Sequence, residues 1–491
     1  MTRYICIHGH FYQPPRENPW TGTIDIQPSA APFANWNLRI ADECYLANTR
    51  AKILNEDGSI DKYVNNYEFL SYNFGPTLLR WFDEYVPELS QGLVDADVKS
   101  IARFGHGTAI AQVYHHSILP LCDIHDKRTE VAWGMADFQK RYGRKPEGIW
   151  LSETAADIET LEVLAEYGIL FTILAPRQAK AIAEIENQSS NDWIDVDEGN
   201  LDTSCPYLCT LPSGKTINIF FYHGDLAMEV AFRGALDNGE QFAKRIYDVA
   251  QNFSENALLH YATDGESYGH HHRYGEMALA YCYQTLDDME GIEPINYATY
   301  LHRFPPTKFV QIHAPSSWSC VHGVGRWSEN CGCVIDGKNT GNQQWRVHLR
   351  NALNALRDAT RRIFVEQCST LIQDPLKFRH EWLRATLGRE QDLLIYENCV
   401  TQPTKIGFEE IRFWMEQQKL ALMMFTSCGW FFDTAMGLEP VQILRYAKKL
   451  IEMTKTKTDL EFEKAFLIEL YKISKEENGW KDGKEIWETE V

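Results

Sequence analysis

Over residues 1–300 the chain alternates short apolar runs with longer stretches of helical periodicity. Parallel strands need a crossover between them, usually a helix, so this alternation commits the segment to an α/β fold with a parallel sheet. The strand-like runs are Arg3 to His8, Tyr67 to Tyr72, a run ending in His106 to His116, Gly148 to Leu151, Ile169 to Leu174, Ile217 to Tyr222 and Leu258 to Ala262. Helices are predicted at Trp36 to Ala51, Pro76 to Tyr85, Thr129 to Tyr142 with Gly143 as its stop, and Asp157 to Tyr167 closed by Gly168. So many units point to a closed or nearly closed barrel.

From Gly341 onward strand signals almost vanish. Helical stretches follow at Gln344 to Gln367, Lys377 to Cys399, Phe408 to Phe425, Val441 to Thr454 and Asp459 to Ser474. The organisation predicted is a barrel over 1–300, a junction and active-site rim loop rich in Pro, Gly, Ser and Trp over 301–340, and a helical C-terminal domain over 341–491. The charged tail from Lys475 to Val491 is expected to fray.

Parallel barrels display their functional groups where strands end. Four segments fall at such ends: His8 to Pro15, His106 with His115-His116, Trp150-Leu151-Ser152-Glu153, and Asp264-Gly265-Glu266. Carboxylates at the ends of two different strands suit cleavage of a sugar linkage. One attacks or stabilises the anomeric carbon, and the other protonates the leaving oxygen. Helix capping is the plainer role for such a pair, but Gly265 and Gly269 suggest a tight, backbone-exposed loop instead. The 14 Trp, 23 Tyr and 24 Phe fit sugar binding, since flat rings lie against CH-rich sugar faces. A formal net charge of −20 argues against non-specific nucleic-acid binding and against docking on anionic lipid.

Trp-Leu-x-Glu and Asp-Gly-Glu-x-aromatic-Gly, in that order and each after a strand, resemble the two catalytic segments of glycoside hydrolase family 57. Trp150-Leu151-Ser152-Glu153 matches the first, and Asp264-Gly265-Glu266-Ser267-Tyr268-Gly269 the second. The resemblance implies an incomplete (β/α)7 barrel and retaining action on α-glucan as hydrolase, glucanotransferase or branching enzyme. It also implies Glu153 as nucleophile and Asp264 as acid/base. By the same resemblance His10 and Gln13 stand for an N-terminal His-Gln-Pro, here interrupted by Phe11 and Tyr12, and His116 for a histidine before Leu-Pro. The acidic residue usual just upstream of that histidine has no clear counterpart. Trp150, Glu266 and His270 are expected to contact substrate. The segment Thr426 to Asp433 looks like a helical-domain motif that reaches back to the cleft, which adds Trp430 and Asp433 as candidates. Trp318 and Trp327, in a Gly- and Ser-rich loop, are expected with Trp430 either to stack on sugar or to pack between the two domains. Trp345 and Trp414 lie in helical periodicity and are expected in the core.

Two rival readings remain. His8, His10, His106, His115, His116 and Asp264 could form a zinc site of the deacetylase or mannosidase type, although the His-x-Asp pair of the latter is absent and His125-Asp126 are expected on a helix surface. A non-catalytic glycan-binding protein would keep the barrel without turnover. No cofactor is expected. The adjacent His270, His271 and His272 should diverge along a polar rim rather than share an ion. Cys331 and Cys333 form a close pair, but no second pair completes a zinc-ribbon spacing. The remaining cysteines are scattered and there is no secretory-signal pattern or 18-residue uncharged apolar stretch, so reduced thiols and a cytoplasmic location are expected.

Overall fold

A computed structural model describes residues 1–185, 192–335, 342–382, 395–400, 403–478 and 481–491. Seven strands line up in parallel: β1 (Arg3–Phe11), β2 (Ser71–Phe74), β3 (Ala111–Gln112), β4 (Ile149–Trp150), β5 (Phe171–Leu174), β6 (Thr216–Phe221) and β7 (Leu258–Asp264). β1 is central. It pairs with β7 from Tyr4↔Leu258 to His10↔Asp264, and with β2 from His8↔Ser71 to Phe11↔Phe74. A strand buried on both faces should be apolar throughout. Past the half-buried Arg3, that holds for β1 except at His8 and His10, which, two residues apart, share one face.

Single bridges, Tyr72↔Ala109 and Gly148↔Phe171, join β2 to β3 and β4 to β5, while β3 pairs with β4 and β5 with β6. Between β6 and β7 the ladder lapses. His223 N donating to His260 O at 2.8 Å bridges the gap, so the ring of these seven strands stays incomplete on that side, and a further short strand, Ile292–Pro294, pairs parallel with the start of β1. There the sheet grows outward instead. Tyr207–Thr210 pairs antiparallel with β6, Lys308–Ile312 runs parallel to it, and Ala179–Glu184 closes antiparallel on that. Lys308–Ile312 thus turns part of the expected rim loop into a strand, with Val310 and Ile312 buried.

The crossover α1 (Ile124–Tyr142) begins at Asp123, whose side chain accepts from His125 N and Asp126 N, and ends at left-handed Gly143. The predicted helix from Trp36 is helical to Thr49, but with a π turn over Ala41–Tyr45. The C-terminal region packs α2 (Trp345–Cys368), α3 (Lys405–Met423) and α4 (Leu438–Lys455) around one apolar cluster that includes Trp345 and Trp414. Of the stretch predicted helical from Lys377 to Cys399, Pro375–Trp382 covers the start, and residues 383–394 lie outside the described residues. Part of the tail is ordered into structure. Gly483–Thr489 is a helix started by a reciprocal Asp482/Glu485 capping box, and its Ile486 is buried. Among the described residues no helix is long and apolar enough to cross a membrane.

Asp126 corrects the surface placement expected of it. It is 1% exposed and lies between α1 and the C-terminal helices, accepting from Arg379 at 2.9 Å and from Arg361 at 2.5 Å. Its charge was hidden from helical periodicity because its partners lie over 200 residues away in the chain. Removing one member of a buried pair strands the other without water. Asp126→Ala should therefore destabilise the protein by about 3–5 kcal/mol, read as a lower urea midpoint, since Arg379 would stay buried and unpaired.

Candidate active site

β4 ends in a turn that L-residues adopt at a cost. Glu153 (φ 57°) and Thr154 (φ 50°) both have left-handed backbones, a strain found where surrounding structure imposes it. The turn is pinned by the Ala156↔Ser316 bridge, by Trp318 N donating to Glu153 O at 3.1 Å, and by Gln178, which bonds Thr154 through both amide atoms. Glu153 Oε2 accepts from Trp318 Nε1 at 2.8 Å and from Ser319 Oγ at 2.7 Å. Burial raises its pKa, while Ser319, Trp318 and the Arg326 charge oppose the rise by favouring the carboxylate.

Asp264 ends β7, level with His10 across the ladder. Among the described residues it has no hydrogen-bond partner. Its side chain is part open to solvent, yet the surrounding protein desolvates the carboxyl. That desolvation, followed by the negative charges of Glu266 and Glu153, holds its carboxyl well above the ordinary range. The charge of Glu153 reaching Asp264 is a sign that the two strand ends converge. The loop after Asp264 needs its glycines. A Cβ on Gly265 would lie 2.3 Å from the Phe11 ring, and one on Gly269 (φ 143°) would lie 2.3 Å from Glu43 O.

Beneath the carboxylates lies a ladder of rings. His10 stacks between Trp150 (centroids 5.0 Å) and His116 (5.1 Å), and Tyr12 covers His116 at 3.8 Å. Hydrogen bonds dictate the tautomers. His8 Nε2 donates to Asn73 Oδ1 (3.0 Å), and Asn73 Nδ2 donates to His10 Nδ1 (2.9 Å). His10 Nε2 in turn donates to His116 Nε2 (3.1 Å), and His116 Nδ1 donates to Ser427 Oγ (2.7 Å). Burial keeps these imidazoles neutral, with His8 and His116 pushed down to about 3. His116 is itself left-handed (φ 57°) and held by Ser427 N on its carbonyl, so the C-terminal region does reach the strand ends, through Thr426 and Ser427.

Several residues expected to touch substrate do something else. Glu266 is buried. Its Oε1 accepts from Tyr12 N (3.1 Å) and from the Tyr45 hydroxyl (2.5 Å) of the π turn, and burial raises it to about 7. It shapes the loop carrying Asp264 and is not open to a sugar hydroxyl. Gln13 is occupied by Arg16 and by the Tyr12 carbonyl, and His270 by Glu43. Trp150 is fully buried under the ladder. Trp327 and Trp430 are fully buried in the helical cluster, with Arg350 over Trp430 at 3.8 Å, so neither presents a face to sugar. Asp433 accepts from Ile335 N. Trp318 alone of the three loop candidates is part-exposed beside Glu153. His270 and His272 diverge, the latter to the Ala231 carbonyl.

Sequence reasoning missed Ser319, Asn73, Tyr45 and Arg326 as contributors. Ser319 and Arg326 carried a signal, both lying in the Gly- and Ser-rich loop from Ser317 to Glu329 that reads as displaying functional residues. Nor do the barrel histidines make a metal centre. His106 bonds Glu147 and His115 bonds Glu130, and the ring nitrogens of His8, His10 and His116 are engaged with protein partners. Among the described residues they form no set of ligand atoms within reach of one ion. What remains is two carboxyls that burial shifts in the same direction but unequally: Asp264 well above the ordinary range, and Glu153 raised with two hydrogen-bond donors and a guanidinium opposing the rise.

The sequence profile of glycosyl hydrolase family 57 matches residues 33–313, and that of a domain of unknown function (DUF3536) matches 341–491. No curated protein sequence matches the chain. Among solved structures it is similar to an exo-type maltose-forming amylase from Pyrococcus sp. ST04, with 16% identity, 96% of this chain and 83% of that one covered, and a TM-score of 0.70. It is similar to a branching enzyme from Thermococcus kodakaraensis, with 15% identity, 96% and 94% covered, and a TM-score of 0.59. A 4-alpha-glucanotransferase from Thermococcus litoralis follows, with 15% identity, 94% of this chain but 62% of that one covered, and a TM-score of 0.54. At these identities the likeness is one of fold.

Proposed function

The chain belongs to glycosyl hydrolase family 57, and from that premise we propose that it cleaves or transfers α-linked glucan through a covalent glycosyl-enzyme. Glu153 attacks the anomeric carbon as Asp264 protonates the departing oxygen. Asp264, now the carboxylate, then takes a proton from water or from an acceptor hydroxyl, which displaces Glu153 and restores the first configuration. The observation that carries this reading is the unequal tuning of the pair, both raised by burial but only Glu153 supplied with groups that oppose the rise. Two donors and a nearby guanidinium work toward the anion of Glu153 against its burial, whereas among the described residues nothing bonds Asp264, and desolvation and two negative neighbours keep its proton on. Trp318, part-exposed over the nucleophile, serves as the sugar platform.

Hydrolysis and transfer share the glycosyl-enzyme and differ in which acceptor reaches it. Incubation with linear and branched α-glucans, followed by product sizing, tests the proposal. Shorter products support hydrolysis, redistributed lengths or new branches support transfer, and an unchanged panel sinks both.

The donors on Glu153 have a consequence for pH. A donor to a carboxylate lowers its pKa, so deleting one raises it. Activity needs the Glu153 anion and is lost as pH falls through that pKa. Ser319→Ala should thus move the acid limb of kcat/KM to higher pH while leaving the alkaline limb in place. An acid limb that stays put would separate Ser319 from the nucleophile.

A further inference from the structure

Cys331-Gly332-Cys333 lacks a partner pair in the sequence, but the fold supplies one. The turn after Ser319 carries Cys320 and His322 to the same point, and one ligand atom from each of the four residues lies within 4.8 Å of every other. Among the described residues it is the one group of this kind. Cys333 Sγ is 3.8 Å from Cys320 Sγ and 3.6 Å from His322 Nδ1. A tetrahedral ion with Zn–S of about 2.3 Å and Zn–N of about 2.0–2.1 Å holds its sulfurs about 3.8 Å apart and sulfur from nitrogen about 3.5 Å. The spacing is that of ligands around such an ion, and it is too long for a sulfur–sulfur bond.

We propose that Cys320, His322, Cys331 and Cys333 form a structural zinc site. Three thiolates and one imidazole fill a tetrahedron and leave no open position, which is the pattern of structural rather than catalytic zinc. The surroundings suit it. Gly332 (φ 77°) is left-handed between its two cysteines, and Gly323 (φ 77°) follows His322, where a Cβ would lie 2.7 Å from Pro315 O. Three thiolates on Zn²⁺ leave one net negative charge, and a buried cation faces it. Arg346 lies with its guanidinium 4.0 Å from Cys331 Sγ and donates to the Cys333 carbonyl at 3.1 Å. Asp433, which accepts from Ile335 N, anchors the strand of chain leaving the site.

The site adjoins the candidate catalytic centre without joining it. Cys320 directly follows Ser319, and Trp318 precedes that, the two donors that orient Glu153. Zinc there would clamp the base of the loop that aims the carboxylate.

The full chain, expressed with added zinc and purified without chelator, should carry about one zinc per chain by elemental analysis. Replacement by Co²⁺ should give thiolate-to-cobalt charge-transfer absorption and intense tetrahedral d–d bands. Cys331→Ser/Cys333→Ser should lose both. Should that variant fail to fold, the metal content and cobalt spectrum of the unaltered chain still decide. A chain that takes up neither zinc nor cobalt, or a folded Cys331→Ser/Cys333→Ser variant that keeps its full metal content, overturns the proposal.

Discussion

Replacing Glu153 by Gln should lower kcat/KM on α-glucan by about 10³-fold or more, a loss of at least about 4 kcal/mol of transition-state stabilisation. The amide cannot attack the anomeric carbon, so no covalent intermediate forms. The fold should survive. Glu153 sits in a turn held largely by backbone contacts, and the amide oxygen of Gln can still accept from Trp318 and Ser319. The decisive control is chemical. In Glu153→Gly, azide entering the vacated side should yield a glycosyl azide of configuration opposite to the substrate. Turnover of Glu153→Gln within tenfold of the unaltered enzyme would remove Glu153 from the reaction.

Asp264→Asn should cost about 10³-fold or more on α-glucan as well, with a different signature. The raised pKa of Asp264 means that its acid form persists to higher pH, and activity is lost as pH rises through that pKa. Asn does not titrate, so the variant should lose this alkaline limb and keep the acid limb set by Glu153. The loss should shrink on an aryl glycoside whose leaving group departs unprotonated. Azide, which needs no general base, should restore turnover and give a product of the substrate's own configuration. Equal losses on good and poor leaving groups would rule out proton donation by Asp264.

Where sequence and structure agree, the cause is local. Alternation of apolar runs with helices needs no knowledge of distant residues, and a parallel barrel with seven strands follows from it. Gly143 and Gly168 could be read as helix stops because a left-handed residue after a helix is a backbone requirement. The outer antiparallel strands escaped notice because Ala179–Glu184 and Lys308–Ile312 are short, partly polar and paired far apart in the chain. Trp327 and Trp430 looked like display residues because Gly and Ser surround them. Those small residues instead allow close packing, as at Gly429, where a Cβ would lie 2.5 Å from Ile443.

The sequence by itself determined which groups are present and at which strand ends: Glu153 after β4, Asp264 after β7, and His10 and His116 between them. It also carried family membership in two short motifs. Tertiary structure alone decided what each group can do. Ionisation depends on burial and neighbouring charge, which separate Glu153 from Asp264 and turn Glu266 inward. The same holds for Cys320 and His322, which meet Cys331 and Cys333 only because a loop folds back on itself. Desolvation and Coulomb terms act through space, and linear order says little about distances in space.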